Sequence, residues 1–188
     1  DVPGCGTKRG RDTAAIAWAD VVSELASDIA NAGVDDVVLV GHSQAGTVLP
    51  RVAAASGDRI GHLVYVTCCA PLPGQSVQAM MGSGVHGSDP DTVGWPLDPA
   101  AHDFQQVMAQ MFCNDMSESQ QAALFANMAG DEWPAACGAE GQDWGYEDIR
   151  SIPSAYVVAL ADTILPVEWQ RRFADRLGAS QQHRIDGG

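Results

Sequence analysis

The chain has 188 residues, a length that suits one domain carrying an inserted subdomain. Hydrophobic residues make up 46% and charged residues 18%, which supports a buried core and excludes a disordered chain. The formal net charge is -14 and no Lys/Arg cluster occurs, which excludes nucleic acid and anionic membrane surfaces as expected partners.

In chain order, Asp12 or Thr13 can cap a helix whose Trp18, Val21, Val22, Leu25 and Ile29 share one face and which Gly33 stops. Residues 37–40 are a wholly apolar, mainly β-branched run that suits a buried parallel strand. Gly41-His42-Ser43-Gln44-Ala45-Gly46 leads into a second helical stretch reaching about residue 55, which Pro50 should kink or end early. Residues 63–67 form a second buried strand, and Pro71-Leu72-Pro73-Gly74 breaks the chain. Residues 156–161 form a third strand. Pro166 then opens a helix carrying Trp169, Phe173 and Leu177, closed by Gly178. Residues 183–185 are a last short strand. Strands alternating with helices imply a parallel sheet.

Residues 72–150 interrupt this rhythm and read as an insertion between two sheet strands. One helix there centres on Phe104, Val107, Met108 and Met111, and another opens with the capping box Ser117-Glu118-Ser119-Gln120. All six methionines lie in this stretch, with Trp95, Trp133 and Trp144. Methionine is flexible and polarizable, so the cluster suits an adaptable apolar surface. Most of the six are expected to fill gaps between helices and sheet, with two facing a pocket.

The five cysteines are odd in number and lack metal-type CxxC spacing. They read as thiols in a reducing, cytoplasmic compartment, and no metal or cofactor site is expected. No apolar run has the length of a membrane span, and no signal peptide is visible.

Ser43 is the chemical focus. A serine hydroxyl is a weak nucleophile that needs exposure, a base, and donors for the oxyanion formed on attack. A sharp turn from a buried strand into a helix exposes it and aims backbone N–H groups at the developing charge. Small residues must flank the serine two positions before and after, and Gly41 and Ala45 do so. The Gln44 backbone N–H is the expected oxyanion donor. His42 adjoins Ser43, but neighbours on such a turn point in different directions, so His42 is read as a packing histidine.

The run from Val38 to Gly46 resembles the nucleophile segment of α/β-hydrolases, in the branch that holds methylesterases, hydroxynitrile lyases and bacterial esterases. Asp1-Val2-Pro3-Gly4-Cys5-Gly6 is similar to the loop after that family's fourth strand. Residues 63–76 are similar to the strand that leads into its cap, and Asp162-Thr163-Ile164-Leu165-Pro166 to its acid loop. The resemblance implies a parallel α/β sheet flanked by helices, with residues 1–71 and 151–188 as core and 72–150 as a helical cap. It implies Ser43 as nucleophile and Asp162 as triad acid. The family histidine lies just after the last strand, where the residues before it resemble Ile185-Asp186-Gly187-Gly188. The base is therefore expected directly after Gly188, and His183 is read as structural.

The implied activity is cofactor-free hydrolysis of a carboxylic ester of a small apolar or aromatic substrate, through an acyl-enzyme on Ser43. A hydroxynitrile-type lyase would use a cap lysine, yet the only lysine is Lys8. A non-catalytic ligand-binding module on the same fold is the other rival. The resemblance also places strands and an oxyanion loop ahead of Asp1. Residues 1–188 alone are accordingly expected to be inactive, and to aggregate or form a homodimer along the strand at 37–40.

Overall fold

A computed structural model describes all residues, 1–188. Four strands form one parallel sheet: β1 (Val37–His42), β2 (Ile60–Val66), β3 (Ser154–Ala159) and β4 (Gln181–Ile185), in that spatial order. Helices α1 (Trp18–Ala32) and α2 (Ala45–Ser56) flank β1 in sequence, and α7 (Val167–Leu177) connects β3 to β4. Four further helices fill the long connection from β2 to β3: α3 (Val77–Met81), α4 (Phe104–Phe112), α5 (Glu118–Met128) and α6 (Ala135–Ala139). No helix is long and apolar enough to cross a membrane.

Sequence periodicity places these elements well and their ends less well. The first helix starts at Trp18 rather than at Asp12 or Thr13. Residues Thr13–Ala15 make a separate 3-10 turn, and the Asp20 carboxylate accepts the Ala17 N–H at 3.0 Å to close the helix start. Gly33 ends it in the left-handed conformation, as its missing Cβ permits. Pro50 lies inside α2 and does not end it. Its ring is buried, and packing of α2 against β1 and β2 offsets the lost backbone hydrogen bond. The second strand stops at Val66, because Thr67 turns out of extended geometry with φ at 41°. On α4, Asp103 and Gln106 exchange reciprocal side-chain-to-backbone bonds at 2.8 and 3.1 Å.

One hydrophobic core joins α1, α2 and α7 to a single face of the sheet. Leu63, Tyr65, Tyr156 and Val158 point into it, with Val37 and Leu39 packed at its margin. Trp18 and Trp144 meet edge to face at 5.4 Å within it. Met80, Met81, Val93 and Cys137, from the β2–β3 connection, belong to the same core. The opposite face is different: Val38 and Val40 on the β1 edge are 56% and 64% exposed, and Ile185 on the other edge is 48% exposed. The helices thus flank the sheet on one side only.

Candidate active site

The site begins at the C-terminal end of β1. Ser43 has φ at 53°, a left-handed backbone rare for a residue with a side chain. The turn is held from both sides: Ser43 N–H donates to the Val66 carbonyl at 3.1 Å, and the Ser43 carbonyl accepts from Gly46 and Cys69 at 3.2 and 3.0 Å. Small neighbours make this turn possible. A Cβ on Gly41 would come within 2.6 Å of Leu49 and 2.7 Å of the Ala45 methyl. A Cβ on Gly46 would overlap the Cys69 carbonyl oxygen. The methyl of Ala45 fits because its neighbour at 41 is glycine and because its own backbone is helical.

Beyond the turn, the Gln44 backbone N–H makes no hydrogen bond within the protein and stands free beside Ser43 at the start of α2. The Gln44 side chain donates to the Cys137 carbonyl at 2.8 Å and so ties the turn to α6. Behind the turn, Cys68 donates its thiol to the Gly41 carbonyl at 3.2 Å. Burial holds the Cys68 thiol well above its ordinary pKa and pushes that of Cys69 up to about 12, so both stay protonated and neither competes as a nucleophile.

Ser43 opens into a cavity of about 570 Å³. Its walls come mostly from residues 95–133, with Trp95, Phe104, Phe112 and Trp133 as the aromatic part. Met108, Met111 and Met128 also line it, three of the six methionines rather than the two expected. Met80 and Met81 are core residues instead. None of the 24 acidic or 10 basic side chains lines this cavity, although His42 and His102 do. Helical periodicity marks Phe104, Val107, Met108 and Met111, but nothing in the spacing singles out Pro99, His102 or Phe112.

Asp162 sits in the loop after β3. One carboxylate oxygen accepts the Ile164 and Leu165 N–H groups at 2.7 and 2.9 Å. Burial raises the Asp162 pKa, opposed by these two hydrogen bonds and then by His42 and His86 nearby. Asp162 lines a second cavity of about 400 Å³, which shares His42, Met111, Phe112 and Met128 with the Ser43 cavity. The two residues therefore occupy adjoining spaces. Gly188 lines the Asp162 cavity as well.

No histidine of the chain is hydrogen-bonded to Ser43 or to the Asp162 carboxylate. His42 ends β1, makes no hydrogen bond to Ser43 or Asp162, and has its pKa lowered by burial, partly offset by Asp162. His183 lies exposed on β4 opposite Val157. No three His, Cys, Asp or Glu side chains cluster as a metal site.

Comparison with known proteins gives a consistent result. No curated protein matches the sequence. An extracellular alpha/beta-hydrolase from a Paenibacillus species, which shares structural and functional homology with tobacco salicylic acid binding protein 2, superposes with a TM-score of 0.75 at 20% identity, covering 100% of this chain and 76% of that one. A pyrethroid hydrolase superposes at 0.68 with 18% identity, over 100% of this chain and 76% of its own. Polyneuridine aldehyde esterase does so at 0.66 with 19% identity, over 100% and 78%. At such identities the likeness speaks for the fold. The sequence itself matches the family model described as "Alpha/beta hydrolase family" over residues 1–188. With the parallel sheet and the strand-turn-helix at Ser43 already in view, that full-length match decides the matter: the chain belongs to the alpha/beta hydrolase family.

Proposed function

We propose that this protein is a serine hydrolase that cleaves carboxylic esters of small apolar or aromatic substrates through an acyl-enzyme on Ser43. The observation that carries the reading is the strained Ser43 turn, with φ at 53°, opening into an uncharged, aromatic- and methionine-lined cavity of about 570 Å³. A volume of that size suits a modest organic molecule. The stretch at 72–150 acts as the cap that selects it.

In this reading the Ser43 hydroxyl oxygen attacks the ester carbonyl carbon while a histidine takes its proton. The carbonyl oxygen becomes an oxyanion, stabilised by the free Gln44 N–H and by the α2 N-terminus. Collapse expels the alcohol, which takes the proton from the imidazolium. Water, deprotonated by the same imidazole, then attacks the acyl-enzyme and releases the acid. Asp162 orients the histidine and balances its charge. The five unpaired cysteines fit a reducing, cytoplasmic setting.

The test is active-site labelling of the product of the complete gene with a fluorophosphonate. Wild type should label and Ser43→Ala should not; equal labelling of both would overturn the assignment. Substrate class is read from kcat/KM across short-chain, long-chain and aryl esters. Preference for a charged, polar ester would contradict the uncharged cavity.

A further inference from the structure

The loop that carries Asp162 leaves β3 without regular structure, yet it is hydrogen-bonded at nearly every residue. Leu160 and Ala161 donate their N–H groups to the Ile185 and Gly187 carbonyls at 3.0 and 2.9 Å. The Gln170 side chain donates to the Leu165 carbonyl at 2.7 Å. Three further bonds come from the long β2–β3 connection. Asn114 donates to the Ala161 carbonyl at 2.8 Å, Thr163 donates its hydroxyl to the Gln110 carbonyl at 2.6 Å, and His86 pairs with the Ile164 carbonyl at 3.1 Å.

His86 is the informative member of the three. A carbonyl only accepts, so the His86 Nε2 carries the hydrogen. Its acceptor, Ile164, is the residue whose N–H closes the turn on the Asp162 carboxylate at 2.7 Å. Ile164 thus has one end of its peptide frame fixed by the acid and the other by His86. The His86 backbone is stapled to the substrate side of the molecule. Its N–H donates to the Trp95 carbonyl at 3.1 Å, Trp95 N–H donates to the Gly84 carbonyl at 2.9 Å, and the Trp95 indole donates to the Gly82 carbonyl at 2.7 Å. Trp95 lines the Ser43 cavity. One hydrogen-bonded segment, residues 82–95, therefore joins the wall that would touch substrate to the loop that carries the acid.

We propose that His86 is a positioning residue: its hydrogen bond to the Ile164 carbonyl holds Asp162 in register, and through Trp95 it links cavity occupancy to the placement of the acid. The proposal rests on the hydrolase reading above, and it concerns geometry. A small displacement of a positioned group is enough to slow a reaction while substrate binding stays intact.

The test uses the complete gene product with two variants. His86→Leu removes the hydrogen bond, whereas His86→Gln offers an amide N–H near the position of Nε2 and cannot be protonated. His86→Leu should lower kcat by about tenfold or more with KM changed less than about twofold, and His86→Gln should recover most of the loss. Amide hydrogen exchange at Ile164 and Leu165 should rise in His86→Leu and stay near wild type in His86→Gln. This second measurement needs no turnover. If Ser43→Ala leaves ester cleavage untouched, the hydrolase reading falls while exchange still decides whether His86 holds the loop. Unchanged exchange in His86→Leu, or His86→Gln as impaired as His86→Leu, overturns the positioning role.

Discussion

At the scale of single residues, Asp162 shows stability and proposed activity pulling in opposite directions. Burial raises its pKa, so the folded state binds the carboxyl proton more tightly than the unfolded chain does. A raised folded value gives stability that is present in full below the ordinary carboxylate range and is lost as pH rises through the folded pKa. At neutral pH the ionised Asp162 is therefore a burden on folding. Asp162→Asn keeps an oxygen to accept the Ile164 and Leu165 N–H groups and has no charge to desolvate. The expected outcome is a variant with most of its turnover lost and with Tm at pH 7 above that of wild type. Its advantage should shrink as pH falls toward 4. Thermal melts at both pH values and p-nitrophenyl butyrate kinetics check this; a lower Tm at pH 7 with full kcat would refute it.

Single elements are fixed here by a few polar residues at their joints. On α7, Gln170 is fully buried and serves three backbone groups: it accepts the Ala159 N–H at 3.0 Å and donates to the Ala159 and Leu165 carbonyls at 2.9 and 2.7 Å. It welds the helix to the end of β3 and to the loop that carries Asp162 at once. Gln170→Leu has similar bulk but leaves those groups without a partner inside the core, an expected loss of about 3 kcal/mol or more. Urea unfolding would show it as a lower midpoint with an unchanged slope. A loss below about 1 kcal/mol would mean that water or a shifted backbone replaces the amide. The turn between β1 and α2 is similarly unforgiving. Gly46→Val places branched carbons against the Cys69 carbonyl, beside the bond that holds Ser43, and should yield misfolded protein by circular dichroism and gel filtration.

At the scale of the whole sheet within residues 1–188, the two faces differ. Helices α1, α2 and α7 cover one face, while Val38 and Val40 stand exposed on the other, along the unpaired edge of β1. An apolar edge with free backbone donors and acceptors invites pairing with another strand, and the net charge of -14 opposes it only weakly at short range in salt. Residues 1–188 expressed alone should self-associate at micromolar concentration. Val40→Lys, or Val38→Asp with Val40→Lys, should shift the chain toward monomer by gel filtration and light scattering. A wild-type chain that is already monomeric would show that this edge is protected in some other way.

Much of the architecture was legible in the residues. The apolar run at 37–40, the small residues at 41, 45 and 46, and the helical stripe from Trp18 to Ile29 reflect local sterics and hydrophobic periodicity, which act between neighbours in the chain. Those local rules predict Ser43 on a turn between strand and helix, which is where it lies. They misjudged the start of α1 and the effect of Pro50 because tertiary packing overrides a weak cap and a lost hydrogen bond. Local rules do not say which methionines face the cavity, that the Asp162 cavity shares His42 and Phe112 with the Ser43 cavity, or that His86 reaches the Ile164 carbonyl 78 positions away. Such contacts join segments distant in the chain, and their geometry exists only once the sheet has set the segments side by side. Local sterics and periodicity fix the elements and the turn at Ser43. The cavity and the clasp on the Asp162 loop depend on long-range packing that no local spacing encodes.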